Sequence, residues 1–101
     1  MNGDKWLYVM FIERGKTYNK INGEMVGKHV DFIRNLDDAG MLVLCGPFKG
    51  WPGMGGMIVL RADSYEQADE ICKTEPFVAE GYATYKLRTM QPGNRENNYL
   101  L

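Results

Sequence analysis

Residues 28–48, KHVDFIRNLDDAGMLVLCGPF, contain the point at which the spacing of apolar residues changes from helical to extended. In the first part, apolar side chains recur every three or four positions, which is typical of one face of an α-helix. Gly40 is placed to end that helix, and the apolar run that follows predicts a strand over residues 41–48. The same stretch carries the only histidine of the chain, His29.

The helix is predicted to cover residues 23–39, with Asn22 as its N-cap. Charged and amide side chains occupy most of one side, and the other side is an apolar stripe of the kind that faces a core. The stripe consists of Met25, Val26, His29, Val30, Phe32, Ile33 and Leu36. The imidazole of His29 is therefore expected to point into the protein and not into solvent.

Further strands and a second helix are predicted on either side of this unit. The strands are predicted over residues 5–13, 57–62 and 82–90. The second helix, over residues 65–73, begins at an S-x-x-Q capping box formed by Ser64 and Gln67. The glycine-rich residues 49–56 are interpreted as a loop, and Pro76 is expected to prevent the helix from continuing.

The predicted order of elements is βαββαβ, the ferredoxin-like arrangement of a four-stranded antiparallel sheet with two helices on one face. In residues 5–13, however, both sets of alternating side chains are apolar. A strand of a sheet that has one face in water normally alternates apolar with polar residues along its length. Because two helices cover only one face, the other face needs a second cover, which a second copy of the sheet would provide. The sequence therefore predicts a homodimer with a barrel-like core.

Length and charge limit the classes of function. The 101 residues are expected to form a single domain, residues 1–101, with a core over about residues 5–90 and a polar tail over residues 91–101. The tail is interpreted either as mobile or as a segment that docks on a partner chain. With 12 basic and 13 acidic residues the net charge is −1, so neither nucleic acid nor a membrane is an expected partner. The apolar N-terminal run is too short to span a bilayer, and the protein is expected to be cytoplasmic.

Motifs for metals and cofactors are missing from the sequence. One histidine and two cysteines without CxxC spacing, Cys45 and Cys72, do not supply a zinc site. Neither a Walker loop nor a dinucleotide-binding fingerprint is present. The two cysteines are interpreted as free thiols of the core, and no cofactor is expected.

Two segments, GKHVDFIRNLDDAGMLVLCGPF and GGMIVLRADSYEQADEICKTEPFVAEGY, together resemble the YciI-like (YCII-related) proteins. The shared features are a helix with a histidine, a strand that ends in Gly-Pro-Phe, a glycine-rich turn into a strand, an S-x-E-x-A helix start and an acid-Pro-Phe before the last strand. The resemblance covers roughly residues 5–90. It implies a dimeric α+β barrel, similar in architecture to muconolactone isomerases and small cofactor-free monooxygenases.

The resemblance also implies a catalytic pair in a small-molecule enzyme. One branch of the family removes chloride from a chlorinated aromatic ring, and the pair proposed there is the helix histidine with the aspartate of an Asp-Pro dipeptide. The matching positions in this chain are His29 and Glu75. Because TEPF has glutamate in place of aspartate, the carboxylate lies one methylene further from the backbone. In such a pair the acid orients the imidazole, and the imidazole exchanges the proton.

Each candidate residue has a structural alternative. A single histidine on an apolar helix face is often a satisfied core group, and an acid before Pro76 can simply mark the end of a helix. The candidate substrate-binding residues are Tyr8, Gly46, Pro47, Phe48, Trp51 and Tyr85. Aromatic residues on strands also belong to cores and to dimer interfaces.

Three functions remain open on the sequence alone. The first is a cofactor-independent lyase, isomerase or dehydrochlorinase-like enzyme that acts on a small aromatic or enolic metabolite, with His29 as general acid–base and Glu75 as its orienting partner. The second is a non-catalytic ligand-binding or accessory dimer, in which Glu75 marks the loss of the pair. The third is a structural dimer within a larger complex, which would have no pocket beside His29.

Overall fold

The computed structural model describes residues 5–101, so the first four residues of the predicted domain lie outside the described range. Its elements are β1 (Leu7–Arg14), α1 (Gly23–Asp38), β2 (Leu42–Pro47), β3 (Met54–Leu60), α2 (Tyr65–Lys73), α3 (Pro76–Ala79) and β4 (Ala83–Met90). The strands form one antiparallel sheet in the order β2-β3-β1-β4. This is the predicted ferredoxin-like fold. None of the helices in the described range is long and apolar enough to cross a bilayer.

The strand β3 starts three residues earlier than predicted, because part of the glycine-rich segment belongs to the sheet and not to the loop. A Cβ atom on Gly56 would lie 2.5 Å from the carbonyl oxygen of Gly46 on β2. Only glycine therefore allows the two strands to approach at this point. The turn itself is shorter than predicted and contains Gly50 and Gly53, which have φ angles of 70° and 83°.

The second helix begins and ends where the sequence predicts. Ser64 Oγ accepts a hydrogen bond from the Gln67 N–H at 3.0 Å, while the Gln67 side chain accepts from the N–H of Asp63 and not from that of Ser64. The helix stops at Lys73, before Pro76, and the chain then forms the one-turn helix α3, which was not predicted. Proline is favoured at the first helical position, so Pro76 ends one helix and starts the next.

The core lies between the sheet and the two longer helices. Every second side chain along β1, β3 and β4 points to the helix side of the sheet, where it packs against α1, α2 and Phe77. The buried members are Tyr8, Met10, Ile12, Met25, Leu36, Ile58, Leu60, Ala68, Cys72, Phe77, Ala83 and Leu87. Ala68 and Cys72 are the members from α2, so Cys72 is a core thiol as expected.

The opposite face of the sheet is apolar on β1, as predicted, and also on β2 and β3. Leu7, Val9 and Val59 are buried there among their neighbours, and three further side chains are half-buried. Leu44 pairs with Val59 and Met90 with Leu7 across the strands, and these two side chains are 52% and 43% exposed. We call this surface the open sheet face; it comprises Leu7, Val9, Phe11, Val43, Leu44, Met57, Val59 and Met90.

Candidate functional site

A cavity of about 1010 Å³ lies between α1, the adjoining ends of β1, β2 and β3, and the connection from β1 to α1. The cavity explains why α1 has more apolar side chains on one side than are buried in the core. Only Met25 and Leu36 of α1 are buried. Val26 and Val30 are 46% and 42% exposed and line the cavity. A cavity of this size suits a small organic ligand.

His29 lies in the wall of this cavity and contacts the predicted acidic partner. Its Nδ1 is 2.7 Å from Oε2 of Glu75, whose side chain is fully buried, while the His29 side chain is 24% exposed. Glutamate in place of aspartate therefore still reaches the imidazole. Since the carboxylate occupies Nδ1, Nε2 is the ring nitrogen available to a molecule in the cavity.

Glu75 also holds the local backbone. It is the N-cap of α3, and its Oε1 accepts a hydrogen bond from the N–H of Val78 at 3.2 Å. Both carboxylate oxygens therefore have a partner, as a buried acid requires. The structural and the functional interpretations of this residue are compatible, because the acid that starts α3 is the same acid that holds His29.

Two aromatic rings continue the wall. The imidazole of His29 stacks on Phe77, with ring centroids 4.5 Å apart and planes inclined by 7°. Phe77 in turn meets Tyr18 edge to face, with centroids 5.9 Å apart. The imidazole is therefore held at its edge by Glu75 and at its face by Phe77. Phe77 belongs to the TEPF motif, but no signal in the sequence connects Tyr18 with the site.

Two of the predicted substrate-binding residues, Gly46 and Pro47, line the cavity. Phe48 and Trp51 lie elsewhere, in a cluster with Phe11 of the open sheet face. The ring centroids of Phe48 and Trp51 are 4.9 Å apart, and those of Phe11 and Trp51 are 6.2 Å apart. These two residues line a smaller cavity of about 270 Å³.

Tyr8 and Tyr85 do not line the large cavity, because both lie beneath α2. Tyr8 is buried and meets Tyr65 edge to face, with centroids 6.4 Å apart. The hydroxyl of Tyr85 donates to Oδ1 of Asp69. Burial, and secondly this bond, raise the pKa of Tyr85, while the same bond is the main cause that lowers the pKa of Asp69. The tyrosine therefore acts as a protonated donor to α2.

The prediction that Cys45 is a core thiol is wrong. Both cysteines are free, but Cys45 is exposed and lines the cavity. It belongs to β2, which is an edge strand, and the cavity separates this part of the strand from α1. Cys72 differs, since burial, followed by the charges of Asp69 and Glu75, raises its pKa to about 12.

Comparison with known proteins places the chain in a family. The model of the YCII-related domain matches residues 6–91. The uncharacterised protein YjpA of Bacillus subtilis (strain 168) is 36% identical over 76 residues, which are 75% of this chain and 84% of that protein. A solved structure with the same fold is that of 5-chloro-2-hydroxyhydroquinone dehydrochlorinase from Burkholderia phenoliruptrix AC1100, in complex with 2,5-dihydroxybenzoquinone. Its TM-score is 0.72 at 13% identity, with 91% of this chain and 99% of that chain covered. The resemblance found in the sequence is thus confirmed, and the chain belongs to the YCII-related domain family.

Proposed function

We propose that this protein is a cytoplasmic, cofactor-independent enzyme that acts on a small aromatic or enolic molecule, as a lyase, an isomerase or a dehydrochlorinase. The observation that carries the proposal is the 2.7 Å contact between Nδ1 of His29 and Oε2 of the buried Glu75, in the wall of a cavity. A titratable group with a buried charge partner in a cleft is a candidate for catalysis.

In the proposed mechanism His29 acts as base through Nε2. It takes a proton from a phenol, an enol or a carbon next to a carbonyl group. The released electron pair moves a double bond, and the proton is returned to a carbon of the molecule. Where that carbon bears chlorine, loss of a second hydroxyl proton then expels chloride and leaves a quinone. The carboxylate of Glu75 stabilises the imidazolium and keeps Nδ1 protonated, so that Nε2 can accept the proton and later return it.

The structural neighbour suggests which compounds to test first. That enzyme is a dehydrochlorinase of 5-chloro-2-hydroxyhydroquinone, and its structure holds 2,5-dihydroxybenzoquinone. At 13% identity the likeness extends to the fold alone, so the chemistry does not transfer by similarity. A single hydroxylated ring nevertheless fits the volume of about 1010 Å³, and such rings have the acidic protons that the mechanism needs.

The test is a panel of hydroxylated rings and enolic acids, each followed in deuterated buffer by NMR for proton exchange or product. Chloride release from 5-chloro-2-hydroxyhydroquinone is measured in parallel. For any compound that is turned over, His29→Asn is expected to lower kcat by about 10²- to 10⁴-fold. The circular dichroism spectrum should not change. Lys28→Asn, at the neighbouring exposed position of α1, is the control and should keep full activity.

The Glu75→Gln variant tests the pair. Its amide can still accept the Val78 N–H, but an amide NH₂ group facing Nδ1 would favour the tautomer with the proton on Nε2, which cannot act as a base. A loss of about 10²-fold or more in kcat with α3 intact is therefore expected. Turnover that survives both His29→Asn and Glu75→Gln would refute the proposed chemistry.

A second candidate is a non-catalytic ligand-binding or accessory protein. It is favoured by the breadth of the opening, where Val26 and Val30 are exposed on α1. The same panel distinguishes the two, because a binding protein would shift the NMR signal of His29 with a ligand and yet convert none. The purely structural alternative predicted no pocket beside His29, and the observed cavity speaks against it.

We further propose that two copies associate through the open sheet face. Apolar side chains line this face on β1, β2 and β3, and Leu44 and Met90 remain exposed on a single chain. On β4 only Met90 extends the apolar surface, because Arg88 and Lys86 pair with Val9 and Phe11. Patches of this kind usually mark a protein interface. Apart from Met57, which also borders the cavity, the face lies on the opposite side of the sheet, so the residues of the proposed site come from one chain.

A further inference from the structure

The cavity that contains His29 has positive charge and no acid in its wall. Arg14, at the end of β1, and Lys16 line it, and Arg14 also borders the smaller cavity. None of the aspartates and glutamates between residues 5 and 101 lines the large cavity. The carboxylate of Glu75 is buried and has its two oxygens engaged by His29 and Val78. The whole chain has a net charge of −1, so the positive charge of the cavity wall is a local feature and not a property of the overall composition. A cleft with such walls attracts anions.

The backbone around Arg14 is held from both sides. The N–H of Arg14 donates to the carbonyl oxygen of Gly53 at 2.8 Å, and the N–H of Gly15 donates to that of Tyr82 at 2.9 Å. A Cβ atom on Gly15 would lie 2.7 Å from the Tyr82 oxygen. Only glycine permits this approach, so the chain leaves β1 along a defined path that places Arg14 and Lys16 at the cavity.

The guanidinium of Arg14 is not neutralised by a neighbouring acid. The preceding residue, Glu13, points to the other face of the sheet, where its carboxylate lies 3.6 Å from Nζ of Lys86. Within the described part of the chain, no ion pair joins Arg14 to a carboxylate. The guanidinium carbon of Arg14 lies over the ring of Tyr18, 5.5 Å from its centroid.

This contact makes the cation and the imidazole parts of one wall. The guanidinium of Arg14 lies over Tyr18, Tyr18 meets Phe77 edge to face, and Phe77 stacks on His29. The hydroxyl of Tyr18 reaches the sheet at Gly55, where a Cβ atom would lie only 2.9 Å from it. A flat molecule lying along this wall would have its reacting part at His29 and its far end at Arg14.

We propose that the molecule bound in this cavity is a small planar carboxylate, whose anionic group is held by Arg14 with Lys16 beside it. A guanidinium matches a carboxylate with two parallel hydrogen bonds, which favours this anion over a neutral group of the same shape. The proposal rests on the proposed function in one respect, that the cavity beside His29 is where the substrate is held.

The experiment compares two ligands of the same shape and different charge, 2,5-dihydroxybenzoate and 2,5-dihydroxybenzamide. Binding is followed at constant pH by the Cε1–H signal of His29 in untagged protein, since the chain has a single histidine. The acid is expected to bind about tenfold more tightly or better. The preference should shrink as salt is raised, because a partly exposed charge contact is screened.

In the Arg14→Gln variant the ratio of the two affinities, acid over amide, should fall close to one. The affinity for 2,5-dihydroxybenzamide should stay the same. Arg34→Gln is the matched control, because Arg34 is an exposed arginine of α1 that contacts Asp31 at 3.5 Å. It should retain the full preference. Lys16→Gln is expected to reduce the preference in part, and a two-dimensional amide spectrum confirms that each variant is folded.

Three outcomes would overturn the proposal: equal affinity for the acid and the amide, a preference that persists in Arg14→Gln, or no shift of the His29 signal with either compound at millimolar concentration. Because no turnover is measured, this failure is separable from that of the proposed enzyme. Equal binding of the acid and the amide would refute the carboxylate proposal and would say nothing about turnover by His29. Full turnover in His29→Asn would refute the proposed chemistry and would say nothing about the preference for a carboxylate.

Discussion

At the scale of single residues, the site depends on how completely one imidazole is held. Glu75 holds the edge of His29 through Nδ1, and Phe77 holds its face. A ring fixed in two directions loses little entropy when a substrate binds, and the acid selects the tautomer. Neither contact involves Nε2, so the nitrogen proposed to exchange the proton remains available.

The two thiols show how burial separates residues of one type. Cys45 is exposed in the cavity, whereas Cys72 is buried beneath α2, and burial raises its pKa from 9.0 to about 12. Above about pH 9 the thiol ionises in the unfolded chain but stays protonated in the folded one. The unfolded state then binds fewer protons, so the free energy of unfolding falls as the pH rises through this window.

This difference gives a testable pH dependence. Between pH 8 and pH 10 the wild-type protein should lose about 1 kcal/mol more of its free energy of unfolding than Cys72→Ala does. Urea denaturation under reducing conditions at both pH values measures it. Cys45→Ala is the control and should follow the wild type. Equal losses in wild type and Cys72→Ala would show that the buried thiol does not remain protonated.

At the scale of elements, α1 carries the histidine and sets its position. The helix begins at Asn22, whose Oδ1 accepts the N–H of Met25 at 3.0 Å, so the predicted N-cap is confirmed. The helix start fixes which side of α1 each later residue occupies. His29, two turns after Asn22, lies on the side that faces the sheet. The width of the apolar stripe was also predicted, although its excess residues line a cavity and do not extend the core.

The cap gives a prediction for the stability of this helix. Asn22→Ala removes the acceptor for the Met25 N–H and should lower the free energy of unfolding by about 1 kcal/mol. Asn35→Ala, at an exposed position within the same helix, should change it by only a few tenths of a kcal/mol. Urea denaturation of the two variants provides the comparison. Equal stability of both would mean that the cap contributes nothing to α1.

At the scale of the whole molecule, the sheet separates two apolar regions with different proposed uses. The helix side contains the core and the cavity, and the opposite side is the open sheet face. Strand alternation makes this division possible, because successive side chains of β1 point to opposite sides. The proposed dimer interface and the proposed ligand site therefore share only Met57.

The proposed dimer can be tested by charge. Light scattering of the wild-type protein at micromolar concentration should give about twice the chain mass of 11.5 kDa. Leu44→Lys places an ammonium group on the open sheet face and should shift the mass towards that of one chain, since an unpaired charge is costly in an apolar interface. Asn35→Lys adds the same charge on α1 and should leave the dimer intact. A wild-type protein that stays monomeric would refute the interface.

Most of the architecture followed from local patterns that act over a few residues. Periodicity placed the strands and the two longer helices, and the caps at Asn22 and Ser64 placed the helix starts. The errors occurred where close packing overrides local pattern. At Gly56 a missing side chain lets β2 and β3 approach, so glycines interpreted as a loop belong to a strand. α3 has only four residues, too few for periodicity to predict.

The order of the elements, the apolar second face of β1 and the inward direction of His29 could all be inferred from the sequence, since each depends on alternation or helical spacing within one segment. The contact of His29 with Glu75, and the row from Arg14 through Tyr18 to Phe77, join residues far apart in the chain. Such contacts depend on how the helices and strands pack in three dimensions, and spacing along one chain carries no information on those distances. For that reason the acid partner was reached through family resemblance, while the cationic end of the cavity became visible in the folded chain.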